Sequence, residues 1–284
     1  MWNINYDKIT DISLVLEAAG LAMSKKLGQN FLIDKNARER IADIINTKED
    51  TTTWEIGPGL GAITSLVLES GAYVKAFELD KGFCKILTET AFTDEEKFSL
   101  IEGDALKTLL KQKDMPEVIY GNLPYNVGSV CIAKLIENSL LPNKMVFTLQ
   151  KEVVERMVAN CDSENYSSFS ILCQIDYNVS YAFTIPQTCF YPVPKVDSAV
   201  VLMEKREQSL VPDAIRSLFL TLVRELFKSR RKNIRNNLST SKFNFNKATI
   251  DEILEKANLS PTLRAEAIAL EDLINLANIV KEYV

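Results

Sequence analysis

The chain has 284 residues, of which 46% are hydrophobic, 25% charged and 8% aromatic, which excludes disordered, collagen-like and disulfide-scaffold classes. At about 150 residues per domain this length fits one large domain plus a smaller one, or two of similar size, and no run approaches the ~18–20 apolar residues of a membrane span. The formal charge of −5 is segregated: residues 205–247 hold eleven Lys/Arg against three acids, a local +8 against −13 elsewhere, so the distribution implies an electrostatic footprint that the mean charge hides.

The first 24 residues set Asp7, Lys8, Asp11 and Glu17 among short apolar pieces, a pattern unlike a secretory signal. Gln29-Asn30-Phe31-Leu32, taken by residue type alone, reads as a helix-capping turn. From Thr52 to about Lys205 short apolar runs alternate with helical stretches. Strands are predicted at Thr52–Ile56, Tyr73–Glu78, Phe98–Gly103, Val118–Gly121 and Lys144–Gln150, with helices over 62–70, 83–91 and 129–138. Two more helical stretches, 151–160 and 167–176, precede a closing hairpin-type pair, Tyr177–Ile185 and Ser198–Glu204. Seven strands alternating with helices predict an α/β, doubly wound, mostly parallel sheet.

Beyond Arg206 the strand signal stops. After Pro212-Asp213, apolar residues at 215, 218, 219, 222, 223, 226 and 227 mark an amphipathic helix. Ser260-Pro261 reads as a helix start, and Leu270, Leu273, Ile274 and Ala277 as a further stripe. The expected division is 1–206 for an α/β domain, with an entry segment over 1–50, and 207–284 for a small helical domain.

The chain contains no histidine, which removes Ser-His-Asp and Cys-His hydrolases and imidazole proton shuttles. Cys84, Cys131, Cys161, Cys173 and Cys189 are scattered without a CxxC pair, so reduced thiols in a cytoplasmic protein are expected and a metal site is not. The chemistry then falls to carboxylates, amides, backbone groups and aromatics, or to a cofactor bringing its own reactivity.

Glu55-Ile56-Gly57-Pro58-Gly59-Leu60-Gly61 stands where a strand turns into a helix, and its glycines permit positive φ and close approach of a ligand. Its G-x-G-x-G spacing differs from the G-x-G-x-x-G of dinucleotide folds, and Pro58 deletes an N–H that a pyrophosphate cradle would use. Glu78 ends the next strand, where two carboxylate oxygens can accept from both hydroxyls of a ribose. Asp104 follows the third strand and can accept from an adenine amino group. Three successive strands delivering these groups to one sheet edge fit a nucleoside cofactor lacking a pyrophosphate, with S-adenosyl-L-methionine the obvious one.

Asn122-Leu123-Pro124-Tyr125 directly follows the fourth strand. The exocyclic amine of adenine is a poor nucleophile because its lone pair is delocalised into the ring. Acceptance of its N–H bonds by the Asn122 side-chain oxygen and a backbone carbonyl at Leu123 or Pro124 would draw that pair out of conjugation. Pro124 biases Leu123 to an extended conformation, and Tyr125 offers a stacking face.

Together with Lys26-Leu27-Gly28-Gln29-Asn30-Phe31-Leu32, Gln150-Lys151-Glu152-Val153, the run Phe190-Tyr191-Pro192-Val193-Pro194-Lys195-Val196-Asp197-Ser198-Ala199-Val200 and Arg264-Ala265-Glu266, these motifs resemble the KsgA-type rRNA adenine dimethyltransferase family, in order and over nearly the whole chain. The resemblance implies a Rossmann-like, seven-stranded class I methyltransferase sheet with a small C-terminal all-helical domain. It implies S-adenosyl-L-methionine-dependent N6,N6-dimethylation of two adjacent adenosines near the 3′ end of small-subunit rRNA, within a 30S-type particle, by a monomer. Carried over by position, Asn30, Leu32, Gly57, Gly59, Glu78, Asp104 and Asn122 would line the cofactor site. Asn122, Leu123, Tyr125 and Phe190 would serve catalysis, with Phe190 stacking on the adenine face opposite Tyr125.

In the basic stretch Arg224, Lys228, Arg231 and Arg235 follow at +4, +3, +4 and are expected on one helix face. With Arg230 and Lys232 they form a candidate RNA contact, since folded rRNA presents phosphates and shape to such a surface. Two other readings stand beside this one: a resistance-type methyltransferase of large-subunit rRNA adenine, and a ribosome-assembly RNA-binding factor with incidental catalysis.

Overall fold

The structure, a computed structural model, describes residues 4–21 and 30–284. Lys26, Leu27, Gly28 and Gln29 of the entry motif lie outside the described residues. The chain divides into two compact units, one of Met1–Val154 with Asn178–Lys205, the other of Glu155–Tyr177 with Arg206–Val284. Residues 155–177, which the sequence reading placed with the α/β domain, therefore pack with the helical one.

In chain order the strands are β1 (Phe31–Leu32), β2 (Thr52–Ile56), β3 (Tyr73–Glu78), β4 (Phe98–Glu102), β5 (Val118–Asn122), β6 (Lys144–Gln150), β7 (Tyr177–Ile185), β8 (Phe190–Tyr191) and β9 (Ser198–Lys205). Seven of them form one sheet in the order β4-β3-β2-β5-β6-β9-β7. The pairs from β4 through β6 are parallel, and β9 runs antiparallel to β6. Helices Ala62–Glu69, Lys81–Ile86 and Gly128–Glu137 fill the crossovers, close to the predicted spans. Trp54, Ile56, Val74, Phe77, Ile119, Tyr120, Met145 and Phe147 are buried along the central strands, as near-continuous apolar runs covered on both faces demand. Because the first four sheet strands are parallel, their carboxyl ends share one edge.

The expected capping turn at Gln29–Leu32 is corrected. Phe31 and Leu32 form β1, which pairs antiparallel with β8 in the register Leu32↔Phe190. The cap belongs to Asp34, whose side chain accepts from the Ala37 N–H at 2.8 Å and starts the helix Lys35–Ile45.

The second unit is helical, and its core includes Phe219, Leu222, Leu226, Ile234, Leu238, Ile253 and Leu276. The stripe at 215–227 is a helix, Asp213–Leu226, with Arg216 binding the buried Asp176 through two N–H···O bonds of 2.9 and 2.6 Å. Ser260-Pro261 does not start a helix. The Leu263 N–H bonds back to the Ser260 carbonyl, and the Leu263 carbonyl accepts the Ile234 N–H at 2.8 Å, so the segment is held as a turn and helix Leu270–Val280 follows.

The single basic helix face is also corrected. The helix stops at Leu226, and Asn233 caps a new one, Ile234–Ser239. The buried Asn237 amide donates to the carbonyls of Leu226 (2.7 Å), Ser229 (3.2 Å) and Lys232 (3.4 Å), satisfying groups that a continuing helix would have used. Lys228, Arg230, Arg231 and Lys232 therefore sit exposed on a loop, whereas Arg235 is ion-paired with Asp251.

Candidate functional site

Gly57, Gly59 and Gly61 adopt φ of +69°, +58° and +85°, carrying the chain from β2 into the helix at Ala62. A Cβ at Gly61 would come within 2.8 Å of the Phe92 ring, whereas none of the surrounding atoms lies within 4 Å of one at Gly57. The last glycine thus closes a packed corner and the first opens onto space: Gly61 is needed for packing, and Gly57 borders the cavity.

Glu78, at the end of β3, is 7% exposed. Its Oε1 accepts from the Leu79 and Asp80 N–H groups, each at 2.8 Å, and its Oε2 from Gly59 N–H at 3.4 Å. Burial pushes this carboxyl above its ordinary range while those amides pull it down. Three donors leave acceptor capacity on two oxygens. Asp104 uses Oδ1 to cap Leu106 N–H at 3.0 Å, and Oδ2 lies 4.0 Å from Lys107 Nζ. Its second oxygen remains for a donor.

Asn122 ends β5. Its Nδ2 donates to the Asn30 carbonyl across 92 residues at 3.0 Å, which leaves Oδ1 as an acceptor. The Pro124 carbonyl is taken by the Val127 and Gly128 N–H groups, each at 3.1 Å; the Leu123 carbonyl takes neither. Of the two backbone acceptors the sequence left open, Leu123 is the one the turn does not consume. Tyr125 is half-buried, with its hydroxyl 2.7 Å from Ser198 Oγ.

These groups meet in a cavity of about 260 Å³ bounded by Asn30, Leu32, Gly57, Gly59, Glu78, Asp104, Asn122, Leu123, Tyr125 and Phe190. Phe190 is 2% exposed and packs into the core beside Leu32 and Ile41 as well as bordering the cavity. The proposed RNA residues, from Arg224 to Arg235, are not among its walls. Sequence reasoning missed Tyr6 and Ile12, which also line it. Tyr6 donates to the Leu60 carbonyl at 2.9 Å, and Arg38 holds the segment by bonding Asp7 and the Leu32 carbonyl. Ile12 and Leu16, four apart on helix Ile9–Ala18, were the available signal.

Beneath the glycine loop Glu55 is 2% exposed, with Thr64 and Tyr120 hydroxyls donating to its Oε2 at 2.6 and 3.1 Å. Burial pushes its carboxyl up to about 7 from 4.5, against the pull of those hydroxyls. Between those values the folded chain keeps a proton that the unfolded chain has released, so this group's stabilisation is present below the window and lost as pH rises through it, by about 3 kcal/mol. Glu55→Gln removes the titration. Its melting temperature relative to wild type should climb between about pH 5 and pH 8, and a constant difference in thermal melts would exclude titration there.

Among the described residues no helix is long and apolar enough to cross a membrane, and no group of three His, Cys, Asp or Glu is placed to hold a metal ion. A sequence profile of the family described as Ribosomal RNA adenine dimethylase matches residues 20–262. The chain is 43% identical over 281 residues to "Ribosomal RNA small subunit methyltransferase A" of Treponema denticola, covering 97% of this chain and 96% of that one. It is 38% identical to the protein of the same name from Borreliella burgdorferi, covering 99% and 97%. Among solved structures, a dimethyladenosine transferase from Plasmodium falciparum superposes with a TM-score of 0.76 at 23% identity, over 88% of this chain and 97% of that one, which supports the fold. With the profile spanning the glycine loop, Glu78, Asp104 and the Asn122 turn, and relatives 43% and 38% identical over nearly their whole length, the chain belongs to the ribosomal RNA adenine dimethylase family.

Proposed function

We propose that this chain transfers methyl groups from S-adenosyl-L-methionine to N6 of two adjacent adenosines near the 3′ end of 16S rRNA, giving N6,N6-dimethyladenosine during 30S biogenesis. The observation that carries this is the Asn122 amide. Its nitrogen is committed to the Asn30 carbonyl, so its oxygen is left as an acceptor on a residue that lines the cavity, and the turn does not consume the carbonyl of the next residue, Leu123. Two acceptors on consecutive cavity-lining residues would match the two N–H bonds of an adenine amine.

The walls fit a nucleoside-bearing methyl donor. Glu78 has oxygens left for ribose hydroxyls, Asp104 has a second oxygen for an adenine amine, and open space lies over Gly57. Asn30, Leu32 and Gly59 would complete that side. When bound, S-adenosyl-L-methionine supplies an electrophilic methyl on a sulfonium, a good leaving group that demands little of the protein. Asn122 and Leu123 draw the N6 lone pair out of the ring, and Tyr125 with Phe190 sandwiches a purine that has left its stack. The methylated amine loses its proton readily, so no strong base is needed and the absence of histidine is no handicap.

The basic loop 228–232 would hold the rRNA through phosphates. Arg230 is steadied by donating to the Glu164 carbonyl at 2.8 Å, and Lys228 lies 3.5 Å from the buried Glu225. Neutralising Arg230 and Arg231 together should weaken association with 30S-type particles and reduce the salt slope by about one to two units, at ~0.7–0.9 per phosphate contact. Unchanged filter-binding isotherms would place the footprint elsewhere.

The whole reading is tested by mass spectrometry of 16S-type rRNA from cells with and without the gene, and by methylating 30S-type particles and naked large-subunit RNA side by side. Dimethyladenosine confined to the small-subunit arm is expected; methylation of the large-subunit RNA alone would favour the resistance-type activity.

A further inference from the structure

Stacking a purine on Tyr125 does not require the phenolic hydroxyl, since a phenylalanine ring presents the same face. Here the hydroxyl is nevertheless engaged, in the 2.7 Å hydrogen bond with Ser198 Oγ. Ser198 is fully buried at the first position of β9, an interior strand between β6 and β7, and pairs in register with Gln150. The preceding residue, Asp197, accepts the Gln187 N–H on Oδ1 and the Lys151 N–H on its carbonyl, each at 3.0 Å. A turn residue is thus tied to a post set in the sheet.

We propose that the Ser198–Tyr125 hydrogen bond positions the purine for the second methyl transfer, so that Ser198 governs whether the product stops at N6-monomethyladenosine or proceeds to the dimethyl form. This rests on the adenine reading of the crevice given above. In each round the N6 lone pair forms one bond to the donated methyl, the S–CH3 bond breaks with its electrons staying on sulfur, and one N6 proton passes to solvent. In the first round two N–H bonds face Asn122 Oδ1 and the Leu123 carbonyl. In the second, a methyl has replaced one hydrogen, and only one acceptor can be engaged. Orientation then depends more on the ring stack, and a ring already tethered by its hydroxyl loses less freedom when the base settles on it.

The test uses the full chain, S-adenosyl-L-methionine and unmethylated 30S-type particles, with nuclease digests resolved by mass spectrometry into adenosine, monomethyl and dimethyl products over time. Ser198→Ala and Tyr125→Phe each remove the bond from one end. Each should slow the second methylation about five-fold more than the first, the scale of one hydrogen bond, so that monomethyladenosine accumulates. The double variant should be no worse than either single one. Equal slowing of both rounds, unchanged time courses, or losses that add in the double variant would overturn the proposal. Tyr125→Phe leaves β9 untouched, so the answer does not depend on Ser198→Ala folding. Absence of any methylated adenosine with the wild-type chain would instead defeat the reading of the crevice itself, and this proposal with it.

Discussion

Replacing Asn122 by alanine should lower the methylation rate by roughly 10²–10³, the scale for removing one preorganised polar contact from a reacting centre. The reason is local. Its Nδ2 is fixed on the Asn30 carbonyl, so the amide does not flip, and Oδ1 is held as an acceptor without reorganisation. Alanine leaves the target amine one acceptor short and its lone pair conjugated with the ring. Cofactor affinity should fall far less, because Glu78 and Asp104 remain. Single-turnover methylation of 30S-type particles, beside calorimetry with S-adenosyl-L-methionine, separates the two effects. An unaltered single-turnover rate would remove Asn122 from the chemistry.

Glu78→Ala should act in the opposite sense, weakening S-adenosyl-L-methionine binding by roughly 10²-fold, since hydrogen bonds to a charged group are each worth about 1.5–3 kcal/mol. The substitution also deprives the Leu79, Asp80 and Gly59 N–H groups of their common acceptor, loosening the wall itself. Glu78→Gln keeps one acceptor and should fall between the two. Titration calorimetry reads both directly. If Glu78→Ala bound the cofactor as tightly as wild type, the ribose would have to be held elsewhere. At saturating cofactor, turnover by Glu78→Gln should recover, which an Asn122 variant cannot do.

Much of the sheet was legible because a parallel strand buried on both faces announces itself as an apolar run, and each observed strand from β2 to β6 lies within a residue of its expected ends. Glu78, Asp104 and Asn122 were equally legible, since a polar residue ending such a run must emerge at the carboxyl edge. The corrections share a cause. Phe31-Leu32 reads as part of a cap because its partner in pairing, Phe190–Tyr191, lies far along the chain and no local pattern reports it. The basic residues looked like one helix face because spacing alone cannot reveal that Asn237 gathers the carbonyls of residues 226, 229 and 232. Asn246, which caps Thr249 N–H and opens helix Lys247–Lys256, is a start signal of a kind that residue type alone carries.

By itself the amino-acid order determined the alternation of strand and helix, the edge on which chemistry collects and the exclusion of imidazole mechanisms, since these follow from periodicity and residue type. Only the tertiary structure decided which way the Asn122 amide faces, which backbone carbonyl stays unconsumed, that Tyr6 and Ile12 join the cavity wall and that Tyr125 is moored to Ser198. The Pro124 carbonyl is claimed locally, by N–H groups three and four residues on, but the placing of Asn122, Tyr6 and Tyr125 turns on hydrogen bonds between residues 54 to 92 positions apart. Such bonds form only once the sheet has brought their elements together.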